Sequence, residues 1–236
     1  MPILPFLLFV LSLWCSASQQ ATAAPEVPAE PAEYAMRWNV KDGGPKTGRD
    51  TLDVLKQQPT DSDNYEVQYF DFSPPKDAPN DFTSILRQRK KGKKKYQLMF
   101  KYRGDHALAH WKCPISATPT EIKNEVDISI LGPSELRRVY SHSCTRESEK
   151  GPVKPPQVLA AQPKSCTNKM TRLKAGTLKV EEWHLPGDVT MVEVSRNAST
   201  SQSDLDSFRR DVVDRLLSVG VKPSDRSKTD LGSRCE

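Results

Sequence analysis

Four segments of this chain place charged residues at every second position, and the sign of the charge differs between segments. Leu86-Arg87-Gln88-Arg89 and Phe100-Lys101-Tyr102-Arg103 carry paired cations. Glu125-Val126-Asp127-Ile128 carries paired acids, and Glu193-Val194-Ser195 an acid followed by a hydroxyl. Residues two apart share one face of a β-strand, so each pair forms a two-pronged charged comb. Val126, Ile128 and Ile130 alternate with Glu125, Asp127 and Ser129, which gives that segment one apolar and one polar face. Basic strands facing acidic strands would line an interior suited to a polyanion with a divalent metal. The competing reading treats each comb as the solvated face of an ordinary sheet.

The pattern predicts eight strands, at residues 34–40, 65–70, 85–89, 96–102, 123–131, 136–143, 177–185 and 190–194. The lysine run from Lys90 to Lys95, broken only by Gly92, forms the tip of a hairpin, and Pro186-Gly187-Asp188 forms a second tight turn. A short helix is predicted over residues 49–58. A longer one carries Leu205, Phe208, Val212, Leu216 and Val219 on one face, with Ser203 as its cap and Gly220 as its stop. Residues 151–163 are proline-rich without periodicity and read as a loop. Short connections favour antiparallel neighbours. The expected fold is therefore β-dominated α+β, an eight-stranded antiparallel barrel with a C-terminal amphipathic helix. A sandwich is the competing architecture.

Residues 1–24 hold no charged side chain, and their apolar run is shorter than the roughly 20 residues a membrane span needs. With small residues following, they read as a signal peptide, residues 25–32 as a Pro/Ala/Glu linker, and 33–236 as one domain. Secretion into the extracellular space is the expected localisation. Removal of the signal takes Cys15 and leaves Cys113, Cys144, Cys166 and Cys235, an even set that favours two disulfides in any of three pairings. Asn197-Ala198-Ser199 is a glycosylation acceptor if the host is a eukaryote. The net charge of +5 favours anionic partners. No aromatic stacking pattern surrounds the lysine tip, so nucleic acid is not the expected partner. His106 and His110 read as surface residues, and Trp183 as packing.

The order of these motifs resembles the CYTH family of the triphosphate tunnel group, named for adenylyl cyclases and thiamine triphosphatases. Tyr65-Glu66-Val67-Gln68-Tyr69-Phe70-Asp71 is similar to the strand before that family's Leu-x-Arg-x-Arg segment, and Leu86-Arg87-Gln88-Arg89 to the segment itself. Leu98-Met99-Phe100-Lys101-Tyr102-Arg103 resembles the next basic strand. Glu125-Val126-Asp127 and Met191-Val192-Glu193-Val194-Ser195 resemble the later acidic ones. Ser227-Lys228-Thr229-Asp230-Leu231 is similar to the segment after the last helix. The family's Glu-x-Glu-x-Lys signature corresponds here to Glu33-Tyr34-Ala35-Met36-Arg37, and its late Glu-x-Glu to Glu193-Val194-Ser195. Ala35 and Ser195 therefore stand where the family carries carboxylates.

The resemblance implies a tunnel binding a triphosphate or polyphosphate anion. Arg37, Arg87, Arg89, Lys101, Arg103 and Lys228 would hold phosphate oxygens, because guanidinium matches them bidentately and ammonium acts as a point charge. Glu33, Glu125, Asp127, Glu181 and Glu193 would hold Mg²⁺ or Mn²⁺, hard ions that prefer oxygen. Metal-dependent triphosphate hydrolysis is the activity implied. The two departures raise a catalytically inactive binding module as the alternative, and a secreted interaction protein using the barrel as scaffold is another.

Overall fold

A computed structural model describes residues 28–235; the expected signal peptide, Cys15 and the first part of the linker lie outside the described residues. The strands are β1 (Pro31–Asn39), β2 (Asp61–Asp71), β3 (Thr83–Lys91), β4 (Lys95–Gly104), β5 (Glu121–Ile130), β6 (Leu136–Ser148), β7 (Gln162–Pro163), β8 (Asn168–Ala175), β9 (Leu178–Leu185) and β10 (Val189–Ser199). Nine of them form one sheet in the order β3-β4-β6-β5-β1-β10-β9-β8-β2, and a β2–β3 pairing closes it into a barrel. The two-residue β7 adds outside this ring, against Phe70 and Asp71 of β2. The expectation of eight antiparallel strands is thus corrected in two ways.

First, β8 was not expected. Its apolar residues change face along its length: Met170 packs inside the barrel while Leu173 and Ala175 pack outside, so no single face shows a period of two. Second, β1 and β5 run parallel, with Glu33 opposite Asp127 and Ala35 opposite Ser129. A short-turn argument cannot reach this pair, since three strands and their connections lie between them. β1 also begins at Pro31, inside the segment expected as linker. It is buried on both faces, which its sequence explains: Tyr34, Met36 and Trp38 point outward into a core, while Glu33, Ala35 and Arg37 line the interior.

That outer core is completed by helices. α1 (Gly48–Val54) supplies Leu52 and, just beyond its end, Leu55. The C-terminal helix spans residues 202–218, as α2 (Gln202–Phe208), a wider π turn (Arg209–Val213) and α3 (Asp214–Ser218). Ser201 rather than Ser203 caps it, accepting from the Asp204 amide at 3.2 Å. Leu205, Phe208, Val212, Val213 and Leu216 are buried, whereas Val219 lies past the helix end and is exposed. The opposite outer face, with Leu86, Leu98, Phe100 and Tyr102, is covered by loops carrying Phe82, Ile115, Val153 and Leu159. The proline-rich loop thus serves as a cover, anchored by Leu159 and by the Leu159 carbonyl accepting from Ser73.

Cys113 bonds to Cys144 and Cys166 to Cys235, which selects one of the three pairings and fits an oxidising compartment. The second disulfide ties the chain end to the segment before β8, next to α4 (Lys228–Gly232). No helix among the described residues is long and apolar enough to cross a membrane.

Candidate functional site: a two-signed barrel interior

One end of the barrel interior is apolar, filled by Val67, Tyr69, Met170, Trp183 and Met191, with Leu231 of α4 packed against them. The rest is polar and hollow. A cavity of about 520 Å³ runs along Ala35, Arg37, Asp127, Ser129 and Glu193. It adjoins a second, of about 210 Å³, and the two share Glu33, Ile85, Arg103, Lys228 and Thr229 as lining. Eight cationic side chains and four carboxylates line the smaller cavity. That imbalance favours an anion inside it.

The strand registers bring the expected residues inward but sort them differently from expectation. Of the six candidate phosphate ligands, four are engaged with carboxylates. Arg37 Nε donates to Glu193 Oε2 at 2.8 Å and its Nη2 to Ser129 Oγ at 3.2 Å. Lys228 Nζ donates to Glu181 Oε2 at 2.5 Å and to Glu193 Oε1 at 2.6 Å. Arg103 Nε donates to Asp127 Oδ2 at 3.1 Å, and Lys101 Nζ reaches the same oxygen at 3.4 Å. Arg87 and Arg89 differ. They stand two apart on β3, both facing the smaller cavity, and neither has a carboxylate within ion-pair distance among the described residues. The Nε atoms of both are buried without a hydrogen-bond partner. Burial, reinforced by the neighbouring Arg87, pushes the Arg89 guanidinium down to about 9, so it still carries its charge at neutral pH.

The five candidate metal acids split into two groups. Glu33, Glu125 and Asp127 present one oxygen each within 4.8 Å of one another. Glu181 and Glu193 are outside this cluster, each held by two cations. Arg172 approaches Glu181 with Nε at 2.9 Å and Nη2 at 2.6 Å, and Trp183 Nε1 donates to the other oxygen at 3.0 Å. Burial alone would raise the Glu181 carboxyl; Lys228, Arg172 and Arg89 outweigh it and hold the group well below the usual range. Glu193 is likewise kept below its ordinary value, burial being outweighed by Lys228 and Arg37. Both carboxylate oxygens of each acid are engaged by cations or by Trp183.

The three-acid cluster does fit a hard divalent ion by its donor chemistry. All three donors are carboxylate oxygens, and Asp127 Oδ1 is buried with no hydrogen-bond partner while Oδ2 takes Lys101 and Arg103. Burial pushes the Glu125 carboxyl up, only partly countered by Lys101, which marks it as short of positive charge. Glu33 is better served: burial raises it, but Lys179 at 2.9 Å and the more distant Lys228 bring it below its usual value, and Ser195 Oγ donates to it at 3.1 Å.

Arg172 and Lys179 line this interior and were not anticipated, while Ser129 lines it on the polar face it shares with Glu125 and Asp127. A signal existed for the first two. Lys179-Val180-Glu181 alternates on β9, and Arg172 is the direct cross-strand partner of Glu181. Among the residues expected to be bland, Trp183 is fully buried packing, and His106 is exposed beside Asp81 and Asp105.

Solved structures of similar architecture accompany these features. The chain is similar to a proposed adenylyl cyclase from Hippeastrum described as having a dominant triphosphatase activity, at 14% identity over 84% of this chain and 92% of that one, with a TM-score of 0.46. It is similar to a proposed adenylate cyclase from Vibrio parahaemolyticus, at 11% identity over 84% and 96% of the two chains, with a TM-score of 0.45. A third likeness is to the PH1012 protein of Pyrococcus horikoshii, at 13% identity over 86% and 99%, with a TM-score of 0.44. No family model and no curated protein matches the sequence.

Proposed function

We propose that the barrel interior binds the phosphate chain of a triphosphate or linear polyphosphate, outside the cell, with a divalent cation held by Glu33, Glu125 and Asp127. The observation that carries this reading is the Arg87–Arg89 pair. Two guanidinium groups on adjacent inward positions of β3, without carboxylate partners in contact, would each offer a fork to a phosphoryl group. A half-buried cation with no carboxylate in contact is costly, and an anion threaded along the strand would relieve both. Lys101 and Arg103, shared with Asp127, stand on the neighbouring strand β4, opposite Ile85 and Thr83 of β3, and would extend the cationic wall along the same chain. Arg37 and Lys228 act at one remove, fixing Glu193 and Glu181 so that those acids do not repel the ligand.

Bound at the three acids, Mg²⁺ or Mn²⁺ would supply Lewis-acid polarisation of phosphoryl oxygens and a more acidic water. Glu33, Glu125 and Asp127 would orient it, while Arg87 and Arg89 hold the phosphate chain against movement as charge develops. The second reading, a binding module without hydrolysis, is favoured by one feature of the register. Ala35 and Ser195 are direct cross-strand partners, so the two carboxylates missing relative to the resembled family fall at one spot on the wall.

The test is thermal melting of the purified protein with inorganic tripolyphosphate, in EDTA and then with Mg²⁺ or Mn²⁺, with phosphate release assayed on the same samples. A ligand that binds only the folded state raises the melting temperature. Stabilisation that disappears in Arg87→Ala/Arg89→Ala is the expected result, and phosphate release separates the enzyme from the binding module. No stabilisation of the unaltered protein under any of these conditions would overturn the tunnel reading and leave the scaffold alternative.

A further inference from the structure

We propose that the Lys101 ammonium is the resident cation of the Glu33–Glu125–Asp127 cluster and sets how readily that cluster accepts a divalent metal. This deepens the reading above and rests on it for the identity of the metal position. Lys101 stands in the middle of β4, hydrogen-bonded on both sides to β3 and β6, and its neighbours Phe100 and Tyr102 are buried in the outer core. Its side chain is 9% exposed, so the ammonium is committed to the interior. Nζ lies 3.4 Å from Asp127 Oδ2 and 3.9 Å from Glu125 Oε1. It straddles two acids instead of closing tightly on either.

The other partners of the cluster make Lys101 hard to replace. Glu33 already has Lys179 and the Ser195 hydroxyl, and Asp127 shares Arg103. Glu125 has no cation except Lys101 within ion-pair distance among the described residues. An ammonium in contact with the same oxygens competes with a metal that must approach them to about 2.0–2.6 Å. The two positive charges would repel strongly in a partly desolvated interior. Metal entry therefore requires Lys101 to turn away, and an anion chain on β3 and β4 offers it a new partner. Anion and metal binding are coupled through one side chain in this arrangement: phosphate draws Lys101 off the acids, and the acids then take the metal.

The experiment measures Mn²⁺ binding to the full protein by electron paramagnetic resonance, with no phosphate present. The variants are Lys101→Met, Lys101→Arg and Lys101→Met/Glu125→Gln, each checked for an intact fold by circular dichroism. Methionine keeps the length and apolar stem without the charge. Lys101→Met is expected to bind Mn²⁺ at least ten times more tightly than the unaltered protein. Lys101→Arg should stay near the unaltered protein, and the added Glu125→Gln should remove the gain. Equal Mn²⁺ affinity with and without the Lys101 charge, whether tight or absent, overturns the proposal. Should Lys101→Met not fold, Lys101→Gln gives the same comparison. The outcome is separable from the parent reading, because tripolyphosphate stabilisation in EDTA tests Arg87 and Arg89 without any metal.

Discussion

Glu193 accepts from Arg37 at 2.8 Å and from Lys228 at 2.6 Å, while Glu125, in the same interior, has only Lys101 at 3.9 Å. The two acids should therefore respond oppositely to neutralisation. Glu193 and Glu181 ionise more readily folded than unfolded. The stability they contribute is present above their unfolded values, about 4.3, and is lost as the pH falls through their lower folded values. Glu125 has a raised folded value, so its ionised form is a burden above that value and the burden lifts as the pH drops through it. Urea unfolding at pH 7 should show Glu193→Gln destabilised by about 3–5 kcal/mol, the usual result of stripping a buried pair of one partner. Glu125→Gln should be neutral or stabilising in the same assay. The combs at Arg87, Arg89, Lys101, Arg103, Glu125 and Asp127 were legible because each strand carries two like charges at a period of two. Arg172 was not, since it is the one cavity-lining charge of β8, and Lys179 was masked because it alternates on β9 with an acid, Glu181, and not with a second cation. The engagement of Glu181 and Glu193 was equally hidden. Their cation, Lys228, arrives from 47 and 35 residues away in sequence.

At the scale of elements, the C-terminal helix is what covers β1 and β10 on the outside. Phe208 stacks on Tyr34 with ring centroids 5.6 Å apart, and the Arg196 guanidinium of β10 lies over the Phe208 ring at 5.4 Å. Since Tyr34 and Glu33 are adjacent on β1, the helix helps fix the strand that carries one acid of the cluster. Phe208→Ala should cost about 3–5 kcal/mol of stability, as large-to-small changes in a core do. In denaturant titrations this should appear as a lower midpoint with an unchanged slope. The helix was legible from its apolar stripe, but its π turn was not. One extra residue over Arg209–Val213 brings both Val212 and Val213 into the core and ends the stripe before Val219. Eight of the nine barrel strands were legible from alternation or apolar content. β8 escaped because Met170 and Leu173 pack on opposite faces, one inside and one outside. The parallel β1–β5 contact escaped for a topological reason: it joins strands that no short turn connects.

For the whole molecule, the chain end is part of the barrel. Lys228 reaches into the interior, Leu231 seals its apolar end, and the Gly232 carbonyl accepts from Asn168 Nδ2 at 2.9 Å, so the segment after the helix behaves as a stopper. Gly232 fits because a side chain there would meet Asn168 and Tyr69 at 3.1 Å, tighter than ordinary contact. The Cys166–Cys235 bond fastens this stopper across a sequence separation of 69 residues. Loop-closure entropy for a ring of that size corresponds to about 4 kcal/mol of stability. Loss of the bond should therefore do two things at once. Cys166→Ser/Cys235→Ser should lower global stability by up to about 4 kcal/mol in urea unfolding. Freed of its tether, the stopper should also exchange early: hydrogen exchange should rise at Lys228–Gly232 well before it rises in β9 and β10, since local opening needs less free energy than global unfolding. The Cys113–Cys144 bond provides the control. It ties a covering loop to β6 on the outer face, so its removal should speed exchange in the 105–120 segment and leave the stopper's amides protected. If the stopper stayed fully protected without Cys235, the capping box of α4 (Ser227 with Asp230) and the Lys228 ion pairs would be sufficient to hold it. The disulfide would then add global stability alone.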